Sequence, residues 1–227
     1  LFEEMERTLG APDQRGLLRL GCSVTVGSCY VPKVVKKLKE AWPQLEVRVR
    51  VEASDEIEKG ILQDGLDLAV IEGIPHSEYL TCKPLMDDQM IPVGSPEVYP
   101  GRMSLSQLLE CPLLLRERGS GAREILEHAL GARGYKAEAA WESSSVEALK
   151  MAAQEGIGIA FLPERLVETE IQQGTLRRIR VPDFVLHRTI HMIHHRSKYI
   201  SQGMEQWMRL IEDAFERKPA NKKSSVF

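Results

Sequence analysis

Segments typical of β-strands alternate with segments typical of α-helices along most of this 227-residue chain. Residues 17–24, 45–51 and 66–71 have the apolar content of strands. Residues 30–42 place apolar side chains on one helical stripe and lysines off it, and Pro43 ends that helix. Because strands that alternate with helices form parallel sheets covered by helices, the sequence predicts an α/β fold.

The second half of the chain repeats this alternation. Further strands are predicted at residues 113–115, 137–141, 159–162 and 189–194, and further helices at 122–130, 146–154, 164–173 and 201–216. Similar halves joined by two crossings, near residues 88–92 and 188–192, predict two Rossmann-like lobes connected by a hinge. We expect lobe I to comprise residues 16–88 plus 190–216, lobe II residues 89–189, and residues 217–227 to form a disordered tail.

Two polar, glycine-containing segments each lie between a predicted strand and a predicted helix. The first is residues 23–28 and the second is residues 118–123. Such a turn presents backbone N–H groups and hydroxyls at a helix N-terminus, where the dipole favours a negative group. Two of them, far apart in sequence, predict two lobes that face one cleft, the geometry of a small-molecule receptor.

Composition excludes several other classes of protein. No apolar run approaches the roughly 18 residues of a membrane span, and we expect no signal peptide at the start of the chain. A net charge of −3 argues against this segment binding nucleic acid by itself. Four separate cysteines show no zinc spacing and no disulfide framework. Cys29 could be a thiolate at a helix start, but a small buried side chain is the favoured interpretation.

The histidines at positions 187, 191, 194 and 195 raise the question of a metal site. In an extended strand His191 and His195 share a face but lie about 13 Å apart, too far for one ion. We therefore predict no metal and no cofactor, and interpret these histidines as solvated or interfacial.

Several short motifs, in a fixed order, resemble the effector-binding domain of LysR-type transcriptional regulators. They are LRLG at 18–21, Ser23, Thr25, Gly27, Pro32, WP at 42–43, GLDLAV at 65–70, RE at 116–117, GSG at 119–121, Arg123, EGIGIAFLP at 155–163 and GTL at 174–176. Each motif is weak alone, but the ordered set is specific, and it runs from about residue 16 to residue 211.

This resemblance implies a periplasmic-binding-protein-like (type 2) fold with a small anionic or zwitterionic effector in the cleft. It implies a cytoplasmic homodimer or homotetramer, with the helices at 30–42 and 122–130 as dimer surfaces. It also implies a DNA-binding winged helix-turn-helix ahead of this chain, with residues 1–15 as the end of its linker helix and a connection.

The residues expected to contact the effector come from both lobes. They are Ser23, Thr25, Val26, Gly27, Ser28, Glu72, Arg118, Gly119, Ser120, Gly121, Ser143, Ser144 and Phe161. Hydroxyls and amides of the turns could instead only cap helices. Glu72 is either an unpaired carboxylate facing the cleft or a rim residue paired with a lysine. Arg118, together with Arg116, could hold a ligand carboxylate, and Phe161 is interpreted as core rather than pocket wall.

Three other functions compete with a regulatory domain. A solute-binding protein for transport has the same architecture, but the expected absence of a secretory segment counts against it. An enzyme lacks support, because no Ser-His-Asp order, metal spacing or paired-carboxylate motif is present. A redox sensor would depend on Cys22 or Cys29.

Overall fold

The computed structural model describes residues 16–216. The predictions for residues 1–15 and 217–227 lie outside the described residues. The described strands are β1 (Gly16–Cys22), β2 (Leu45–Val51), β3 (Leu68–Glu72), β4 (Leu80–Gly94), β5 (Leu113–Arg116), β6 (Ala139–Ser143), β7 (Ile159–Pro163), β8 (Arg177–Arg178) and β9 (Leu186–His195). The helices are α1 (Val24–Cys29), α2 (Val31–Ala41), α3 (Ser54–Leu62), α4 (Leu105–Leu109), α5 (Gly121–Gly131), α6 (Val146–Gln154), α7 (Glu164–Gln173) and α8 (Gln202–Glu216).

The strands form one sheet in the order β2-β1-β3-β9-β4-β7-β5-β6, with β8 paired to β4. Strand β1 is parallel to β2 and β3, and β5 is parallel to β6 and β7. The long strands β4 and β9 run antiparallel to each other and join the two parallel groups. The chain therefore crosses twice between two similar halves, as the alternating pattern predicts.

Apolar side chains separate into clusters on either side of these crossing strands. On one side, Leu20, Leu38 and Trp207 lie in a cluster that also includes Ile190 of β9. On the other side, Leu126 of α5 packs in a cluster that includes Leu186 of the same strand. The separate cores define two lobes, and β9 contributes to both. The assignment of residues 89–189 to lobe II stays a prediction.

Helix α2 shows how the local sequence specifies an element. Its buried residues, Val31, Val34 and Leu38, recur at helical spacing, and Pro32 occupies its first turn, where the missing N–H needs no partner. Helix α7 ends at Gly174, which has a φ of 75°, a left-handed conformation that favours glycine. Both helices lie within a residue or two of their predicted bounds.

Other local predictions were wrong. Residues 24–29 form the short helix α1 rather than an open turn, so strand β1 ends at Cys22. The sequence predicts Ser54 as the N-cap of a short helix through Gln63, but Ser54 is the first residue of α3, and its hydroxyl donates to the carbonyl of Glu72 at 3.0 Å. Helix α4 was missed although Ser104 and Gln107 form a capping box.

Candidate functional site

A buried arginine occupies the point where the crossing strands meet the first lobe. Arg188 of β9 donates from Nη2 and Nε to Asp88 Oδ2 of β4, at 2.7 and 3.0 Å. Its Nη1 donates to Glu72 Oε2 at the end of β3, and its Nη2 also donates to Thr25 Oγ1 at 3.2 Å. The side chain has 0% exposure, so one guanidinium joins three elements in the interior.

Glu72 is the second centre of this network. Its Oε1 accepts the backbone N–H of Thr25 at 3.1 Å, while Oε2 accepts from Arg188. Its side chain is 2% exposed. Glu72 is thus neither an unpaired carboxylate nor a rim residue paired with a lysine. A buried carboxylate is stable only with compensating charge and hydrogen bonds, and Arg188 and the Thr25 amide supply both.

The first polar segment is partly used by the fold itself. Gly27 N–H donates to the carbonyl of Ser23 at 2.8 Å. The expectation that this amide is free to bind a ligand was therefore wrong. Ser28 Oγ donates to the carbonyl of Val24, and the Val26 side chain is fully buried in the core. Ser23 differs, because its buried hydroxyl has no hydrogen-bond partner among residues 16–216. Of the three hydroxyls predicted in this segment, that of Ser23 alone makes no hydrogen bond within residues 16–216.

In the second polar segment, one residue caps a helix and another lies at the surface. Ser120 is the N-cap of α5 and accepts the Arg123 N–H at 3.2 Å. Arg116 is buried and paired with Glu117 by two hydrogen bonds of 2.7 Å, so it is not available to a ligand. Arg118 is exposed and has no ion-pair or hydrogen-bond partner in the described part of the chain.

The second polar segment contacts residues that follow β3 and begin α3; that it shares one cleft with the first segment stays a prediction. The N–H of Asp55, in the first turn of α3, donates to the carbonyl of Gly119 at 3.3 Å. A Cβ added to Gly121 would lie 2.1 Å from the carbonyl oxygen of Glu72, and one added to Gly73 would lie 3.1 Å from the Cα of Gly121. The second segment therefore packs against the backbone of Glu72, and the Glu72 carboxylate accepts the N–H of Thr25 in the first segment.

The third predicted turn and Phe161 complete the set. Ser145 caps α6 by accepting the Ala148 N–H at 3.2 Å, and Ser143 Oγ accepts the Ser145 N–H at 3.0 Å. Ser144 is exposed. Phe161 packs edge-on against Phe184 in the core of lobe II, which agrees with its interpretation as core. Ligand contact by these residues stays a prediction, and the packing of Phe161 does not support it.

A cavity of about 550 Å³ lies beside the contact between Gly73 and Gly121. Its walls come from α5, from the segment after β3 and from β9, and include Gly73, Glu124, Arg188 and Thr189. Three residues that hold Glu72 and its buried network in place, Ser54, Asp88 and Arg188, were not predicted as part of the site from the sequence. A signal existed for two of them, because Asp88 and Arg188 begin the two predicted crossings and carry opposite charges.

The cysteines and histidines form no reactive centre in the described residues. Burial, and then the charge of Asp88, raise the pKa of Cys29, which contradicts the thiolate interpretation. Burial, and then the charge of Glu72, raise the pKa of Cys22 to about 12. Within residues 16–216, no three His, Cys, Asp or Glu side chains are placed to hold a metal ion. No helix in the same range is long and apolar enough to cross a membrane.

Two α/β lobes joined by two crossing strands define a periplasmic-binding-protein-like (type 2) fold. Comparison with known proteins agrees. The family model of the LysR substrate binding domain matches residues 11–216. The HTH-type transcriptional regulator YeiE of Escherichia coli strain K12 is 33% identical over 204 residues, which is 89% of this chain and 70% of that protein. The chain belongs to the LysR substrate-binding domain family.

Solved structures establish the same fold. The Synechocystis PCC6803 CcmR regulatory domain, solved in complex with 2-PG, superposes with a TM-score of 0.79 at 20% identity, covering 91% of this chain and 100% of that chain. The effector-binding domain of QuiR, solved in complex with shikimate, has a TM-score of 0.75 at 15% identity and covers 89% and 98%. The family supports a regulatory domain rather than the transport alternative.

Proposed function

We propose that this domain binds a small anionic or zwitterionic effector between its lobes, with Ser23 as a contact from lobe I and Arg118 as a contact from lobe II. The observation that carries the proposal is a buried Ser23 hydroxyl without a partner among residues 16–216. A buried donor left unsatisfied costs about 1–3 kcal/mol, so a ligand that accepts its hydrogen bond recovers that energy. The 2-PG and shikimate found in two structural neighbours both carry negative charge.

The charge distribution narrows which groups would bind the effector. The guanidinium of Arg188 already makes four hydrogen bonds, to Asp88, Glu72 and Thr25, and has no exposure. An anionic group in the cleft would therefore be held by Arg118 from lobe II and by neutral donors of lobe I, Ser23 first. Because these groups belong to different lobes, an effector that contacts both favours the closed arrangement.

The rest of the proposal concerns the whole regulator. As in other LysR-type proteins, binding would change the geometry of a cytoplasmic homodimer or homotetramer, and thereby DNA binding through a winged helix-turn-helix outside this chain. The lobe boundaries at 88/89 and 189/190 belong to this proposal. We also propose that the domain is not an enzyme, because its family and its relatives are transcriptional regulators.

A thermal-shift screen tests the ligand site directly. The probes are 2-PG, shikimate and inorganic sulfate, each added to this chain over a range of concentrations. A probe at about one hundred times its dissociation constant should stabilise the domain by about 2.7 kcal/mol. We expect Ser23→Ala and Arg118→Gln each to weaken binding about tenfold or more, as loss of a hydrogen bond to a charged group does.

Matched controls separate the site from general effects. Ser106→Ala removes a hydroxyl in α4 that bonds only to Ser104, and Arg102→Gln removes an exposed charge near Arg180. Both should bind like the unmodified chain. If a probe stabilises Ser23→Ala and Arg118→Gln as strongly as the controls, the effector site lies elsewhere.

A further inference from the structure

A histidine connects the two lobes away from the cleft residues. His76 lies in the segment after β3, and its backbone N–H and that of Ser77 donate to the buried carboxylate of Glu58 in α3, at 2.9–3.2 Å. Its Nδ1 is 3.4 Å from Glu58 Oε2. On the other side, His76 Nε2 lies 2.7 Å from Oε1 of Glu124 in α5.

These contacts cross between separate cores. Helix α3 packs through Ile57 and Ile61 in an apolar cluster of lobe I, whereas α5 packs through Leu126 in lobe II. Three contacts join these parts along one line: Asp55 to Gly119, Glu72 and Gly73 to Gly121, and His76 to Glu124. The first two are backbone contacts, so the third is the one that depends on protonation.

We propose that His76 is a proton-dependent latch that holds the two lobes together through Glu124. The protonated imidazole is attracted by a carboxylate on each side, and its link to Glu58 keeps it on lobe I. The neutral imidazole can still donate one hydrogen bond but loses both charge attractions. The latch acts without an effector, so its test is independent of the proposed ligand site.

The direction of the pH dependence follows from the contacts. The hydrogen bond to Glu124 raises the pKa of His76 against the opposing effect of burial, and the charges of Glu124 and Glu58 add to the increase. The latched arrangement therefore binds the proton more strongly than an open one. By linkage, the stabilisation that the proton gives to the latched arrangement is fully present below the ordinary pKa of histidine and is lost as the pH rises through the raised pKa.

Other titratable groups lie around the latch, among them His187 in the wall of the adjoining cavity. Glu127, His128 and His191 line the adjoining cavity together with Glu124. Glu127 is paired with Arg123 in α5 at 2.6 Å. Cys82 of β4 also faces Glu58, and burial followed by that charge raises the pKa of its thiol, so it stays neutral where His76 titrates.

Hydrogen exchange at one amide measures latching. The N–H of Asp55 lies in the first turn of α3, where amides have no partner within the helix, and it donates across the lobes to Gly119. Its protection factor, measured by NMR on this chain, therefore reports lobe opening. We expect this factor to fall about threefold between about pH 6 and about pH 8, because the ion pair is half-exposed and correspondingly modest.

Variants and a reference amide make the test specific. His76→Gln and Glu124→Gln should show the low value at both pH values, and Glu124→Gln should also lower the pKa of the His76 imidazole. His128→Gln, on the same helix, should behave like the unmodified chain. The Leu66 amide, bonded to Gly60 within lobe I at 3.0 Å, should not respond.

A protection factor for Asp55 that is equal at both pH values in the unmodified chain, or a pH dependence retained in Glu124→Gln, overturns the proposal. Because Glu124→Gln leaves the segment around His76 intact, the test does not depend on His76→Gln folding.

Discussion

Replacing Arg188 by methionine should be the most damaging single change in the network between the lobes. The guanidinium is the only basic group that the structure places within hydrogen-bonding distance of both Asp88 and Glu72 in residues 16–216. Methionine fills a similar volume and its rotatable chain adapts to irregular space, so the cavity contribution is small. The loss is therefore electrostatic, because two buried carboxylates remain without their cation.

The expected loss of stability in Arg188→Met depends on the partners that Glu72 and Asp88 keep. Removing one partner of a buried ion pair costs about 3–5 kcal/mol. Glu72 keeps the N–H of Thr25, and Asp88 keeps Arg165 at 3.9 Å, so we expect about 4 kcal/mol. For a domain of this size, that corresponds to a fall in Tm of about 8–16 °C.

Urea unfolding at neutral pH measures the loss of stability. Arg165→Met is the matched control, since its partially exposed side chain lies 3.9 Å from the same carboxylate and should cost under about 1 kcal/mol. Adding Glu72→Gln and Asp88→Asn to Arg188→Met should restore part of the stability by removing the unpaired charges. A loss of stability no larger than that of Arg165→Met would refute the assignment of Arg188 as the cation that compensates the buried carboxylates of Glu72 and Asp88.

Three further predictions test the surroundings of this network. Gly121→Ala should lose more than about 2 kcal/mol in urea unfolding, because its Cβ would overlap the Glu72 carbonyl oxygen at 2.1 Å, whereas Gly131→Ala, with nothing within 4 Å, should be neutral or slightly stabilising. Cys22, whose pKa is raised to about 12, should react with iodoacetamide only after unfolding, as intact mass would show. Burial raises the pKa of Asp67, but hydrogen bonds from two basic side chains outweigh it and lower this pKa to about 2. Asp67→Asn should therefore be less stable by about 2 kcal/mol at neutral pH, and the difference should disappear as the pH falls to about 2.

The parts of the fold that the sequence predicts well are those set by local periodicity. Helix α2 and strand β2 have an apolar pattern that repeats within a few residues, and both are observed within a residue of their predicted bounds. Helix α7 is likewise delimited by Pro163 and Gly174. In each case the residues that specify the element are neighbours in the chain, so no distant contact is needed to interpret them.

Strand β4 shows why other elements were missed. It is the longest described strand, yet it contains Pro84 and Pro92 together with the charged residues Asp87 and Asp88, a composition that argues against a strand. Its conformation is imposed by β9, about a hundred residues away, and a register shift near Pro84 accommodates the missing N–H. A pattern within a short window cannot contain that information.

In the candidate site too, the sequence predicts what depends on neighbouring residues and misses what depends on distant contacts. Ser23, Ser120 and Glu72 could be predicted because a strand that ends in a polar residue places it at the edge of the sheet. What could not be predicted is which of these groups the protein uses itself, since Ser120 caps a helix and Glu72 is neutralised from β9.

Arg188 looks like a solvent-facing residue when β9 is considered alone, and it becomes a buried counter-ion only once Asp88 is known to be its partner in the antiparallel register. This pairing has a consequence for recognition. The carboxylates of Glu72 and Asp88 already engage Arg188, and Asp88 also lies 3.9 Å from Arg165, so we expect an anionic effector to be held by other groups. In the proposed site, Arg118 from lobe II and the Ser23 hydroxyl from lobe I would contact the same ligand, so that recognition of its charge would also bring the two lobes together.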